Sequence, residues 1–147
     1  MNWYGHLWTI GTRASHIVRP PREPPAVPWH LAVEDPDIGT LQLSGILHEV
    51  DDADTVLLVV HGMGGDAGSP YCVLAAQAAI KRGWSCLRVS LRGADGQGQD
   101  LYHAGLFSDL TAACQSAELA RYRRICVLGY SLGGHACLWL ATRPGDR

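Results

Sequence analysis

Ser131 stands in Gly129-Tyr130-Ser131-Leu132-Gly133, a match to G-x-S-x-G. A serine hydroxyl attacks a carbonyl carbon once a base takes its proton, so the residue type implies nucleophilic chemistry. The spacing has a steric cause. A serine on a very sharp turn needs neighbours without a β-carbon two residues away on each side. In a chain with 17 glycines the pattern is weak by itself. Its flanks strengthen it: Ile125-Cys126-Val127-Leu128 reads as a strand before the turn, and Gly134-His135-Ala136-Cys137-Leu138-Trp139-Leu140-Ala141 as a helix after it. Such a turn lifts the hydroxyl out at the C-terminal edge of a sheet, where open α/β sheets bind ligands. The Leu132 N–H would open the helix, where backbone donors lack partners and the dipole favours an anion.

A second segment fits the same chemistry. His61-Gly62-Met63-Gly64-Gly65 follows the aliphatic run Thr55–Val60. A loop there can supply a second donor to a tetrahedral oxyanion, and the Met63 N–H is the candidate. One such donor contributes roughly 2.7–4 kcal/mol to the transition state. A phosphate-binding loop is the rival reading, but no G-K-[ST] follows the glycines. His61 reads as a brace for the loop rather than a base. His61, Gly62, Tyr130 and His103 are the candidates for substrate contact, His103 because its loop, with Asp100 and Tyr102, borders the site. His135, one helical turn past the serine, should lie along the helix and away from the hydroxyl. Asp95 and Asp109 read as a loop solvator and a helix-surface or capping residue.

These residues need elements to hold them. Residues 39–50 alternate as a half-exposed strand. Thr55–Val60 suits a strand buried on both faces of a parallel sheet. The pattern predicts a helix over 71–82 closed by Gly83, a buried strand over 84–91, and a Gly/Asp-rich loop over 92–100. It then predicts a helix over 104–121, a strand over 124–130 and a helix over 132–142. Strands alternating with helices imply a parallel sheet with right-handed crossovers. Residues 1–38, with the proline-rich stretch Arg19–Pro25, read as an irregular N-terminal segment, and residues 39–147 as the folded domain.

Composition narrows the class. The 147 residues are 47% hydrophobic and 18% charged, with net charge −2. No basic stripe invites nucleic acid. No apolar run approaches the roughly 18 residues of a membrane helix. Five scattered cysteines without a C-x-x-C pair read as reduced core thiols of a cytoplasmic protein, with no metal site. The N-terminus lacks the pattern of a signal peptide.

The motifs together resemble those of the YheT-like α/β-hydrolases, to which embryogenesis-associated proteins are related. The resemblance rests on Gly5-His6-Leu7-Trp8-Thr9-Ile10, with Trp8 where the family usually has glutamine, and on His61-Gly62-x-x-Gly65. Further matches are Ser69-Pro70-Tyr71, Lys81-Arg82-Gly83-Trp84, Arg92-Gly93 with Tyr102-His103-x-Gly105 and Asp109, and Gly129–Gly134. It implies a partial α/β-hydrolase fold, a mostly parallel sheet flanked by helices that stops after the elbow helix. It also implies a carboxylic ester hydrolase with a Ser-Asp-His triad, no metal and no cofactor, acting on acyl or lipid-like esters. In the family the acid and histidine follow the elbow on later strands, so the chain is expected to cover only about the first half of a family member. The isolated chain then lacks its base. The competing expectations are a non-catalytic binding or assembly module, using an exposed sheet edge to pair with a partner or with itself, and one half of a split enzyme completed by a separate C-terminal chain.

Overall fold

The computed structural model describes residues 20–96, 100–103 and 106–142. The Gly5–Ile10 motif and Gly105 lie outside the described residues. Five strands and three helices follow one another: β1 (Val27–Asp35), β2 (Gly39–His48), β3 (Thr55–Val60), α1 (Pro70–Ile80), β4 (Ser85–Ser90), α2 (Ser108–Cys114), β5 (Arg124–Gly129) and α3 (Leu132–Thr142). They form one sheet in the order β1-β2-β4-β3-β5. The β4, β3 and β5 strands run parallel, and β2 and β1 are added antiparallel. The sheet is therefore mixed, with its parallel half next to Ser131.

The aliphatic run of β3 is explained by its two covered faces. Val56, Leu58 and Val60 pack with Leu87, Val89, Leu110, Leu119 and Ala136 on the side of α2 and α3. Val59 and Cys86 pack with Cys72, Ala75, Ala76 and Ala79 of α1 on the other. Alternation along each strand sends successive side chains to opposite layers. α1 opens on Pro70, where a missing N–H costs nothing. Gly83 takes φ +73° just beyond its end, the left-handed position expected of a closing glycine.

Two predicted elements differ. Val27–Asp35, inside the segment read as irregular, is a strand paired with β2 along its whole length. Pro28 is accommodated because β1 is an edge strand and needs hydrogen bonds on one side only. The helix predicted over 104–121 is seven residues long, Ser108–Cys114. The chain then turns, which brings Leu119 and Tyr122 into the core and leaves Ala117 on the surface. At the opposite edge, β5 pairs only with β3 among the described residues, and its Val127 and Leu128 are 38% and 37% exposed.

Candidate functional site

β5 ends at Gly129 and α3 begins at Leu132, so two residues make the whole reversal. Ser131 has φ +51°, one of two non-glycine residues with positive φ among the described residues. L-residues pay on the order of 1–2 kcal/mol for that conformation, so the surroundings must enforce it. They do so through backbone contact. A β-carbon on Gly129 would strike the backbone of Gly133 and stand 2.5 Å from Gly134 N. One on Gly133 would strike the His61 carbonyl oxygen and stand 2.6 Å from that of Val60. The Tyr130 N–H donates to the Val60 carbonyl at 3.0 Å, tying the turn to β3, and the Ser131 carbonyl accepts from His135 N–H at 3.1 Å. Ser131 itself is exposed.

The loop after β3 touches this turn. A β-carbon on Gly62 would lie 3.3 Å from Ser131 Cβ and 3.2 Å from the Tyr130 carbonyl oxygen. Gly64 has φ +70°, and Gly65 N–H closes the turn on the Gly62 carbonyl at 3.1 Å. Gly62 N–H donates to the Tyr71 hydroxyl at 3.1 Å, and Gly64 N–H donates to the Tyr102 hydroxyl at 2.7 Å. The Met63 N–H between them has no acceptor among the described residues, and neither has the Leu132 N–H. The Met63 side chain is 78% exposed.

His61 is fully buried. Its Nε2 accepts the Leu91 N–H at 3.0 Å, which puts the ring proton on Nδ1, where it meets the Gly62 carbonyl at 2.7 Å. Burial lowers its pKa below the ordinary histidine value. Both ring nitrogens are thus committed to backbone on either side of the site. Gly62 is also buried, and it reaches the serine through its backbone. Tyr130 is half-buried, its ring centroid 4.6 Å from that of Tyr71 and its hydroxyl donating to the Tyr71 carbonyl at 3.4 Å. Burial pushes its phenol pKa up. His103 is exposed, and its carbonyl accepts from Leu106 N–H at 3.1 Å. His135 lies along α3, accepting the Trp139 indole N–H at 3.0 Å.

The loop that follows β4 is pinned by one arginine. Arg92, 4% exposed, donates from Nε and Nη2 to both carboxylate oxygens of Asp109 at 2.9 and 2.6 Å. Its Nη1 reaches Asp35 at 2.8 Å and Asp100 at 3.0 Å. These carboxylates, Asp109 first, raise the guanidinium pKa further, and hydrogen bonding to Arg92 lowers those of Asp35 and Asp100. Asp109 is fully buried, not the surface or capping residue its helical position suggested. The Arg92 carbonyl accepts Tyr102 N–H at 3.0 Å, and the Tyr102 ring meets His61 edge-on at 5.6 Å. The roles of Tyr71 and Tyr102 were not read from sequence. The only signal was a tyrosine beside each of two glycine-bearing loops.

Among the described residues no group of three or more His, Cys, Asp or Glu is arranged to hold a metal. None of the described helices is long and apolar enough to cross a membrane. Burial pushes the thiols of Cys72 and Cys86 up to about 12 and that of Cys137 up to about 11.

No protein-family model matches the chain. It is 31% identical over 94 residues to "Putative esterase YheT" of Escherichia coli K12, a match covering 61% of this chain and 28% of that protein. Among solved structures, the Pyrococcus furiosus esterase Pf2001 superposes with a TM-score of 0.61 at 20% identity, over 80% of this chain and 52% of that one. Est1E of Butyrivibrio proteoclasticus, solved with ferulic acid bound, gives 0.62 at 18% identity, over 76% and 46%. Mouse alpha/beta hydrolase domain-containing protein 10 gives 0.59 at 15% identity, over 77% and 44%. The chain therefore spans about half the length of these structures and less than a third of the curated relative. It has part of the fold of the α/β-hydrolases, and its sequence likeness is to the Escherichia coli YheT protein.

Proposed function

We propose that this chain carries the nucleophile and the oxyanion-binding side of a serine esterase acting on carboxylic esters, acyl or lipid-like. The observation that carries the reading is the strained Ser131, φ +51°, exposed on a turn whose two glycines cannot be replaced without backbone collision. Strain maintained at an exposed serine has no packing purpose. The Ser131 hydroxyl would attack the ester carbonyl carbon, and the unpartnered Met63 and Leu132 N–H groups would receive the developing oxyanion. The esterases among the structural relatives support the ester class at the level of fold.

Among the described residues no imidazole or carboxylate hydrogen-bonds Ser131. The reading therefore assigns proton transfer to polypeptide outside these residues, whether a continuation of the chain or a complementing one. Without that base, positioning and an oxyanion hole can still leave roughly 10³–10⁴-fold catalysis over water. The high thiol pKa values of Cys72 and Cys86 fit unreactive cysteines. The test is covalent labelling by a fluorophosphonate. The wild-type chain labels slowly and Ser131→Ala not at all, and equal labelling of both removes Ser131 from the chemistry.

The apolar outer edge of β5 favours a second reading, in which the chain pairs through that strand with another copy or with a complementing chain. Light scattering of the wild type against Val127→Lys decides it. Loss of an oligomer on substitution supports edge pairing, and a monomer in both cases removes pairing between copies.

A further inference from the structure

We propose that Tyr71 and Tyr102 are positioning residues for the Met63 amide, clamping the peptides on either side of it. The inference rests on the esterase reading, for which Met63 matters. The Tyr71 hydroxyl accepts the N–H of Gly62 at 3.1 Å, and the Tyr102 hydroxyl accepts that of Gly64 at 2.7 Å. Of three successive N–H groups, the outer two are thus taken by phenol oxygens and the middle one has no acceptor among the described residues.

A loop of three glycines in five residues has little backbone preference of its own. Left alone it would sample orientations in which the Met63 N–H points elsewhere. The two tyrosines come from different elements and are each held independently. Tyr71 sits in the first turn of α1, its ring packed on Tyr130 next to the serine. Its hydroxyl reaches the loop because position 65 is glycine: a β-carbon there would strike the Tyr71 hydroxyl oxygen and stand 2.8 Å from Ser69 Oγ. Tyr102 is fixed through its N–H on the Arg92 carbonyl, and Arg92 is fixed by the buried Asp109. The clamp therefore connects the loop to α1 on one side and to the Arg92–Asp109 pair on the other. Neither phenol needs to touch substrate.

The experiment compares Tyr71→Phe and Tyr102→Phe with the wild type and with Tyr122→Phe, whose hydroxyl accepts from Arg121 away from the site. Phenylalanine keeps each ring and removes the acceptor. Two readouts are taken on the full chain. Amide hydrogen exchange should rise about tenfold at Gly62 in Tyr71→Phe and at Gly64 in Tyr102→Phe, without a matching rise in the β3 and β4 amides, since one hydrogen bond of about 1.4 kcal/mol is lost locally. Fluorophosphonate labelling should lose about tenfold in its saturating first-order rate with the half-saturating concentration unchanged, because a misaimed donor weakens the transition state and not the encounter. Exchange and labelling in both variants equal to those of Tyr122→Phe would overturn the proposal. If the wild type labels no better than Ser131→Ala, the esterase reading fails, and the exchange arm still decides whether the clamp exists.

Discussion

The carbonyl oxygen of Val60, at the end of β3, lies where a side chain at position 133 would begin: a β-carbon on Gly133 would stand 2.6 Å from it. The end of β3 and the start of α3 are thus in direct backbone contact, and this contact sets the depth at which Ser131 is presented.

Gly133→Ala should therefore destabilise the chain by about 2–4 kcal/mol in urea unfolding, because backbone must move to admit the methyl group. Gly134 is the control. A β-carbon there would stand 3.1 Å from the Gly129 carbonyl oxygen and 3.6 Å from its carbon, and alanine favours a helix by roughly 0.5–1 kcal/mol, so Gly134→Ala should be near neutral. Equal midpoints for the two variants would contradict the packing described.

Ser131→Gly should be more stable than Ser131→Ala by about 1 kcal/mol, since only glycine takes φ +51° without a steric cost. Neither variant should label with a fluorophosphonate. Thermal or urea unfolding of the pair measures the strain kept at the serine, and a more stable alanine variant would show that there is none.

Asp109→Ala should cost about 3–5 kcal/mol, the usual result of leaving one buried partner of an ion pair uncompensated. The Asp109 carboxylate is fully buried and takes two hydrogen bonds from Arg92. Asp100→Asn, on the exposed side of the same arginine, should change stability little. The contrast is read from denaturant midpoints at neutral pH.

Two buried histidines give the fold an acid limit of its own. Burial lowers the pKa of both His48 and His61 below the ordinary value of 6.5, so each is neutral in the folded chain. The unfolded chain binds their protons first. Their contribution is fully present above pH 6.5 and is lost as pH falls through the lowered folded values, with a slope of up to about 1.4 kcal/mol per pH unit for each histidine. The carboxylates Asp35, Asp54 and Asp100, lowered from 3.8, act only at still lower pH. Urea unfolding between pH 7.5 and 5 should show the decline. A stability that is flat over that interval would mean these rings are not buried neutral.

What was legible in the sequence was local. The elbow helix was read at 132–142 and is Leu132–Thr142, because Ser131 and the glycines around it mark its start. β3 was read from an aliphatic run that only a doubly covered strand needs. β1 was missed because prolines dominate its approach, and the sequence does not say that Val27–Asp35 lies at an edge, where Pro28 is harmless. Asp109 was misread because its partner is 17 residues away, in the loop after β4. The tyrosine hydroxyls were missed for the same reason: Gly64 and Tyr102 are 38 residues apart, and nothing in either segment names the other.

Ser131 follows β5, an edge strand of the sheet among the described residues. Everything that orients it comes from one flank, where β3, the glycine loop and the two phenols are already in place. The other flank faces solvent among the described residues. A hydroxyl so placed is open to small bases dissolved around it, so its reactivity should depend on the buffer: labelling should quicken in proportion to added imidazole at fixed pH, as it would not for a serine whose proton acceptor is built in.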